Sequence, residues 1–236
     1  MTWWRSGYNY TLEKMRLEAL PTSQPRRLHL RKGEEKRILM LDGSINPDPN
    51  LKTAPLIVVE HHKKVGDQWV HMVCRNAAKH LGMAAAETPS DCYGCDEKAT
   101  AYIVGLHTCI DIYGFERDGK KYTGLRRLLA ADGGMMPKLA EIAVKHCDGD
   151  MAGAVLRVKQ NQDGFWTSPD EVEFIEKLPP EQWEAAQDRM RADTNRHPWK
   201  PFDFGAWLRQ LSNQEMRMVW AGEPIPDVHT DTEFSY

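Results

Sequence analysis

This 236-residue chain contains no run of 18 apolar residues, so no membrane-crossing helix is expected from it. A leading apolar segment of the secretory type is also missing, which predicts a cytoplasmic protein. Cysteine is sparse and odd in number, at five residues. That argues against a disulfide framework and for reduced thiols. Glycine-rich phosphate loops, nucleophile elbows and the His-Glu-x-x-His pattern are lacking. Asp-x-Asp pairs are scarce, and Asp148-Gly149-Asp150 reads as a loop turn. A zinc deaminase needs a His-x-Glu ahead of Pro-Cys-x-x-Cys. Here Cys92-x-x-Cys95 follows Asp91, and no clear His-x-Glu precedes it. No internal repeat or low-complexity tract occurs. These absences predict a protein that is not an enzyme.

Net charge is also slight, with 31 Lys and Arg against 34 Asp and Glu. A surface that binds polyanions everywhere is thereby excluded. The charge is nevertheless uneven. Residues 1–130 carry 20 basic and 15 acidic side chains, whereas residues 223–236 carry four acids and no Lys or Arg. A basic body with an acidic tail predicts nucleic-acid contact and a separate partner-binding tail.

What the chain does have is a compact set of metal-binding residues. His61, Cys74, Cys92 and Cys95 are spaced His-x12-Cys-x17-Cys-x2-Cys. A Cys-x2-Cys turn aims two thiolates at one ion, and Gly94 between them lets the backbone fold tightly behind the sulfurs. Zinc takes Cys sulfur and His nitrogen in a closed tetrahedron when its role is structural, which leaves no open position for catalysis. His62, His80, His107 and Cys109 compete with His61 for the fourth position. Cys147 falls on the apolar face of a predicted helix and reads as core.

Hydrophobic period organises the rest as β-rich α+β. Residues 28–32 and 36–41 read as strands around Gly33-Glu34, and 42–50 as a loop. An apolar strand at 56–61 leads through a basic turn at 63–67 to a strand at 69–74. A long strand is expected over 102–117, then a two-residue turn at Asp118-Gly119 and a return over 120–129. Helix is predicted over 136–147, with Pro137 tolerated in its first turn. Strands follow at 154–159 and 171–178. Beyond them, 180–192 and a segment capped by Asp203 read as helices, the latter burying Phe204, Trp207, Leu208 and Leu211. A helix before the last two strands of a small barrel is common in the OB-fold, a five-stranded barrel that binds oligonucleotides. The expected organisation is an arm with a short helix at 1–25, an OB-fold core at 26–178 with the zinc-binding loop at 61–95, C-terminal helices at 179–221 and the acidic tail at 222–236.

A strand ending in Glu60-His61, then Trp69, Cys74, a variable loop, Cys92 and Cys95, and a strand Tyr102-Ile103-Val104-Gly105, resembles the zinc-containing single-stranded DNA-binding proteins of tailed bacteriophages. That family spaces its ligands His-x12-Cys-x9-Cys-x2-Cys. The outer spacings match here. The middle one is eight residues longer, within an Ala-rich stretch at 76–88 that suits a short helix. The resemblance covers about residues 28–178. It implies an OB-fold and one structural zinc per chain held by His61, Cys74, Cys92 and Cys95. It also implies single-stranded DNA bound without sequence preference during replication and recombination in an infected bacterial host. The acidic tail would recruit replication or recombination proteins, and self-association on DNA is a further expectation.

The hairpin register predicts where DNA lies. With Asp118-Gly119 as the loop, Arg117 pairs with Lys120 and Phe115 with Tyr122. Continued without a break, the register sets Tyr113 opposite Gly124, Asp111 opposite Arg126 and Ile112 opposite Leu125. Tyr113, Phe115, Tyr122 and Arg126 then share one face, with Lys120 and Lys121 at its tip. Bases stack on such rings while Lys and Arg follow the phosphates. Arg26, Arg27, Lys63 and Lys64 extend the track. In the tail, Glu223, Asp227, Asp231, Glu233, Phe234 and Tyr236 are the expected partner-binding residues. The rival reading is a zinc-bearing phage structural or adaptor protein that binds protein partners and not DNA.

Overall fold

A computed structural model describes residues 27–43, 56–65, 68–82, 91–117, 120–122, 124–161, 168–179, 181–183, 185, 201–202 and 211–223. The predicted arm and its helix, the Asp203-capped segment as far as 210, and the tail beyond Glu223 lie outside the described residues. The chain divides into two compact units that alternate along the sequence. One takes the described residues of Pro25–Leu56 and Gly105–Phe202, the other those of Ile57–Val104 and Asp203–Tyr236. Strand β4, Ala101–Asp111, runs through both.

The first unit is an antiparallel sheet. β1 (Glu35–Met40) pairs with β4 on one side and with β8 (Ala154–Lys159) on the other, so Leu39 faces Ile110 and Val155 in register. β9 (Glu171–Lys177) pairs with β8, with a register shift between Val155 and Leu156. β7 (Leu125–Ala131) pairs with the other side of β4. No pairing among the described residues closes this sheet on itself. β8 and β9 match the predicted strands closely, because the short apolar run Ala154–Leu156 of β8 and the alternation of Val172 and Phe174 in β9 are each bounded by turn residues.

Every residue of β4 from Val104 to Asp111 is buried. Both faces of this strand are therefore covered, unlike the one-sided burial that alternation suggests. On its even face Ile110 joins Leu39, Leu41 and Val155, with Ile112, Leu178 and Trp183 packed against them. On its odd face Met136 Sδ approaches Gly105, where a Cβ would meet it at 3.1 Å. Met136 belongs to α3 (Met135–His146), which follows the one-turn helices α1 (Ala77–His80) and α2 (Tyr93–Asp96) in the chain and buries Met135, Met136, Leu139, Ile142 and Ala143 at helical spacing. Asp132 Oδ1 accepts from the amides of Gly134 and Met135, both at 2.9 Å, and so caps the helix start. Cys147 at its end is buried, as its place on the apolar face predicts.

The predicted 102–117 strand is broken. β4 ends at Asp111, and β5 (Phe115–Arg117) restarts after a bend. Asp111 Oδ1 accepts from Gly114 N at 2.8 Å, and Gly114 and Gly124 both adopt positive φ. The hairpin with β6 (Lys120–Tyr122) keeps the expected register, Arg117 with Lys120 and Phe115 with Tyr122. Below the bend the register is offset by one residue: Asp111 pairs with Leu125 and Ile110 with Arg126. The expected pairs Asp111–Arg126 and Ile112–Leu125 are thus corrected.

In the second unit, β2 (Leu56–Val65) pairs with β3 (Gln68–Val73), His62 opposite His71 and Lys64 opposite Trp69. The basic turn expected at 63–67 is strand as far as Val65, because the ladder continues to the Val65–Gln68 pair. Two one-turn helices follow, α1 (Ala77–His80) in the Ala-rich stretch and α2 (Tyr93–Asp96) at the Cys92–Cys95 pair. Helix α4 (Asn213–Ala221) lies within the stretch 179–221 expected to hold C-terminal helices, although its own start at Ser212 was not singled out. Ser212 and Glu215 form a reciprocal capping box at its start, and Gly222 at φ 77 ends it. Among the described residues no helix is long and apolar enough to cross a membrane.

Candidate metal centre

Strand alternation decides which histidine enters the centre. Along β2, Glu60 and His62 point to one face and His61 to the other. His61 is fully buried, and its Nε2 lies 3.6 Å from Cys92 Sγ and 3.5 Å from Cys95 Sγ. Cys74, just past β3, has its Sγ 3.8 Å from Cys92 Sγ and 3.6 Å from Cys95 Sγ. Cys92 is the extended residue before α2, and one helical turn carries Cys95 round to the same point. The four donor atoms all lie within 4.8 Å of one another, a geometry that can hold a metal ion.

The surroundings set both tautomer and charge. His61 Nδ1 sits 3.2 Å from the Thr100 carbonyl and donates to it, which leaves the Nε2 lone pair facing the sulfurs. Asn76 N donates to Cys74 Sγ at 3.3 Å, and the Cys95 and Arg75 amides donate to Cys92. A hydrogen bond from Cys74, then one from His61, holds the Cys92 thiol far below its ordinary range in spite of burial. That hydrogen bond and burial push Cys74 far up. Burial opposes a charged His61, yet the Cys92 thiolate and nearby carbonyls leave its pKa raised.

The competing ligands fall elsewhere. His62 lies on the other face of β2, stacked on Tyr102 with ring centroids 4.6 Å apart. His80 is exposed, with Nε2 3.3 Å from Cys95 Sγ, an outer contact to one sulfur. His107 and Cys109 are buried in the first unit, where His107 Nδ1 lies 3.6 Å from Asp42 Oδ1.

Sequence reasoning missed the cover over this centre. Met216 of α4 is fully buried, with Sδ 4.0 Å from Cys92 Sγ. Asn213 accepts from Tyr93 N at 2.9 Å and donates to Asp91 at 2.9 Å. The pattern Ser212-x-x-Glu215 ahead of Met216 and Val219 was a legible signal for this helix. The same docking assembles a row of rings and cations. Lys63 Nζ lies 5.4 Å from the Trp220 ring, Trp220 meets Tyr93 edge-on at 5.8 Å, and Arg217 lies 5.2 Å from Tyr93.

The predicted DNA-contact residues are dispersed differently. Tyr113 is 50% exposed, with the Arg37 guanidinium 6.0 Å from its ring. Phe115, Lys120, Lys121 and Tyr122 form the hairpin ladder. Arg126 lies across from Ile110 and stacks on Phe202 at 4.3 Å, half-buried, and burial lowers its pKa. Arg27 makes a backbone bridge to Leu128, and Lys64 is exposed on β2. Glu223 is exposed after α4. Arg26, Asp227, Asp231, Glu233, Phe234 and Tyr236 lie outside the described residues. The sequence matches no protein-family model and no curated protein.

Proposed function

We propose that the ion is zinc and that the protein coats single-stranded DNA in the manner of the phage family it resembles. Zinc bonds of about 2.3 Å to sulfur and 2.0–2.1 Å to nitrogen give tetrahedral edges of roughly 3.8 Å between sulfurs and 3.6 Å between sulfur and nitrogen. The separations of 3.8, 3.6, 3.6 and 3.5 Å fit that figure. Four protein ligands fill it, so the ion would be structural and the protein non-catalytic. A helix ahead of β8 and β9 supports an OB-type barrel for the first unit.

The observation that carries the DNA reading is the row Lys63, Trp220, Tyr93 and Arg217, none of them fully buried. Rings of this kind accept any base, and the cations beside them suit phosphates. The register that sets Phe115 opposite Tyr122 keeps the hairpin as a second candidate for base stacking. Titrating tryptophan fluorescence with short oligothymidine at two salt concentrations tests the reading. Saturable quenching that weakens steeply with salt is expected. No binding at low salt would overturn it and leave the protein-adaptor role.

A further inference from the structure

The face of the β2–β3 hairpin turned away from the cysteines carries three more donors. Glu60 and His62 are two residues apart on β2, and His71 lies directly across from His62 on β3. Strand period and register therefore bring all three to one face. Glu60 Oε2 lies 3.2 Å from His62 Nε2 and 3.6 Å from His71 Nδ1. The three ligand atoms lie within 4.8 Å of one another. The imidazoles are 4.4 Å apart and nearly perpendicular, so they meet edge to face and do not stack. Tyr102 lies flat on His62 and holds its ring plane, leaving Nε2 directed at Glu60.

We propose that Glu60, His62 and His71 form a second metal site, which takes a borderline divalent ion of the zinc, cobalt or nickel class. Imidazole nitrogen suits these ions, and two histidines with one carboxylate on one side form a recognised open-sided ligand set. Metal bonds of about 2.0–2.2 Å place neighbouring nitrogen and oxygen ligands roughly 3.0–3.5 Å apart, close to the two separations here. The Glu60 side chain is only 3% exposed, and a carboxylate that buried is stable with a cation against it. The two imidazoles are 14% and 16% exposed, so solvent reaches the open side and supplies the remaining ligands. The cysteine centre is closed by four protein ligands. This site has three, and its ion exchanges.

The test uses the full chain with its cysteine centre loaded. Cobalt is added and its uptake read by equilibrium dialysis and absorption. One further ion per chain is expected, with weak visible bands and no thiolate-to-cobalt charge-transfer band. His62→Ala and His71→Ala should each weaken uptake by at least the ~10–100-fold that loss of an outer-shell partner costs. Elemental analysis should still find the cysteine-bound ion in both variants, which controls for folding. His71→Asn, which keeps a polar side chain, should behave like His71→Ala. Failure to take up a further ion overturns the site. So does uptake that brings a thiolate band, or uptake unchanged in the His62 and His71 variants.

Discussion

Gly94 is where one atom decides whether the centre can form. A Cβ built there meets His61 Cδ2 at 2.5 Å and Cγ at 2.8 Å, and the imidazole is held from behind by Thr100. Gly94→Ala should therefore displace His61 and release the ion, and elemental analysis would find occupancy well below one per chain. Cysteine reactivity follows from burial in the same way. Cys109 and Cys147 are buried, and burial raises both thiols, so little thiolate is present at neutral pH. Metal-loaded native protein should react with almost no bulky thiol reagent. A chelator should expose the three cysteines of the centre, and denaturant all five. Early reaction of Cys109 in the loaded protein would contradict this packing.

Helix α4 shows how a short element is held by its ends and one face. Its capping box satisfies amides that the first turn leaves open, through Ser212 Oγ to Glu215 N at 3.2 Å and Ser212 N to Glu215 at 2.7 Å. Met216 and Val219 bury its apolar side. Ser212→Ala should cost about 1 kcal/mol of stability, the usual value for a lost N-cap. Denaturant unfolding followed by tryptophan fluorescence would measure it, with the ion retained under native conditions. A loss near zero would mean that the packing of Met216 and Val219 and the Asn213 hydrogen bonds hold the helix without its cap. The same helix supplies Trp220. Replacing Trp220 and Tyr93 together by Ala should weaken single-strand binding tenfold or more, at the low end of ~1–3 kcal/mol per stacked base. The Phe115→Ala, Tyr122→Ala double variant is the matching test of the hairpin, and unchanged affinity there would confine stacking to the α4 side.

At the scale of the whole molecule, an ion held by His61, Cys74, Cys92 and Cys95 would link binding to folding in the second unit. Its described helices number three, two of them single turns of four residues. An ion held there would cross-link the β2–β3 hairpin to the one-turn helix α2, so its ligand-bond energy would add to the folding energy of the unit. Chelation should lower the thermal midpoint of the transition reported by Trp220. An unchanged midpoint after verified ion loss would show the unit to be self-sufficient. Removal of the residues after Gly222 takes away Glu223, Asp227, Asp231 and Glu233. It should tighten single-strand binding at low salt and matter little at high salt, as competition between like charges requires.

Spacing made Cys92 and Cys95 legible as a pair, because Cys-x2-Cys with a glycine inside it closes a turn through local geometry, whereas Cys74 reaches them through the β2–β3 hairpin. The strands at β8 and β9 and helix α3 were legible for a related reason: short apolar runs between turn residues and an apolar period of 3.6 are local properties of the chain. The choice of His61 over His62 was not local. Both sit in one strand, and parity separates their faces, but only the meeting of β2 with the cysteine loop decides which face is inward. The one-residue slip at Gly114 was hidden likewise. An unbroken register from Asp118-Gly119 puts Arg126 beside Tyr113, whereas the Asp111–Gly114 hydrogen bond bends the strand and turns Arg126 onto Phe202. Tertiary contacts settled what local pattern left degenerate, because side-chain direction in a strand reverses with every residue and a single irregularity resets it.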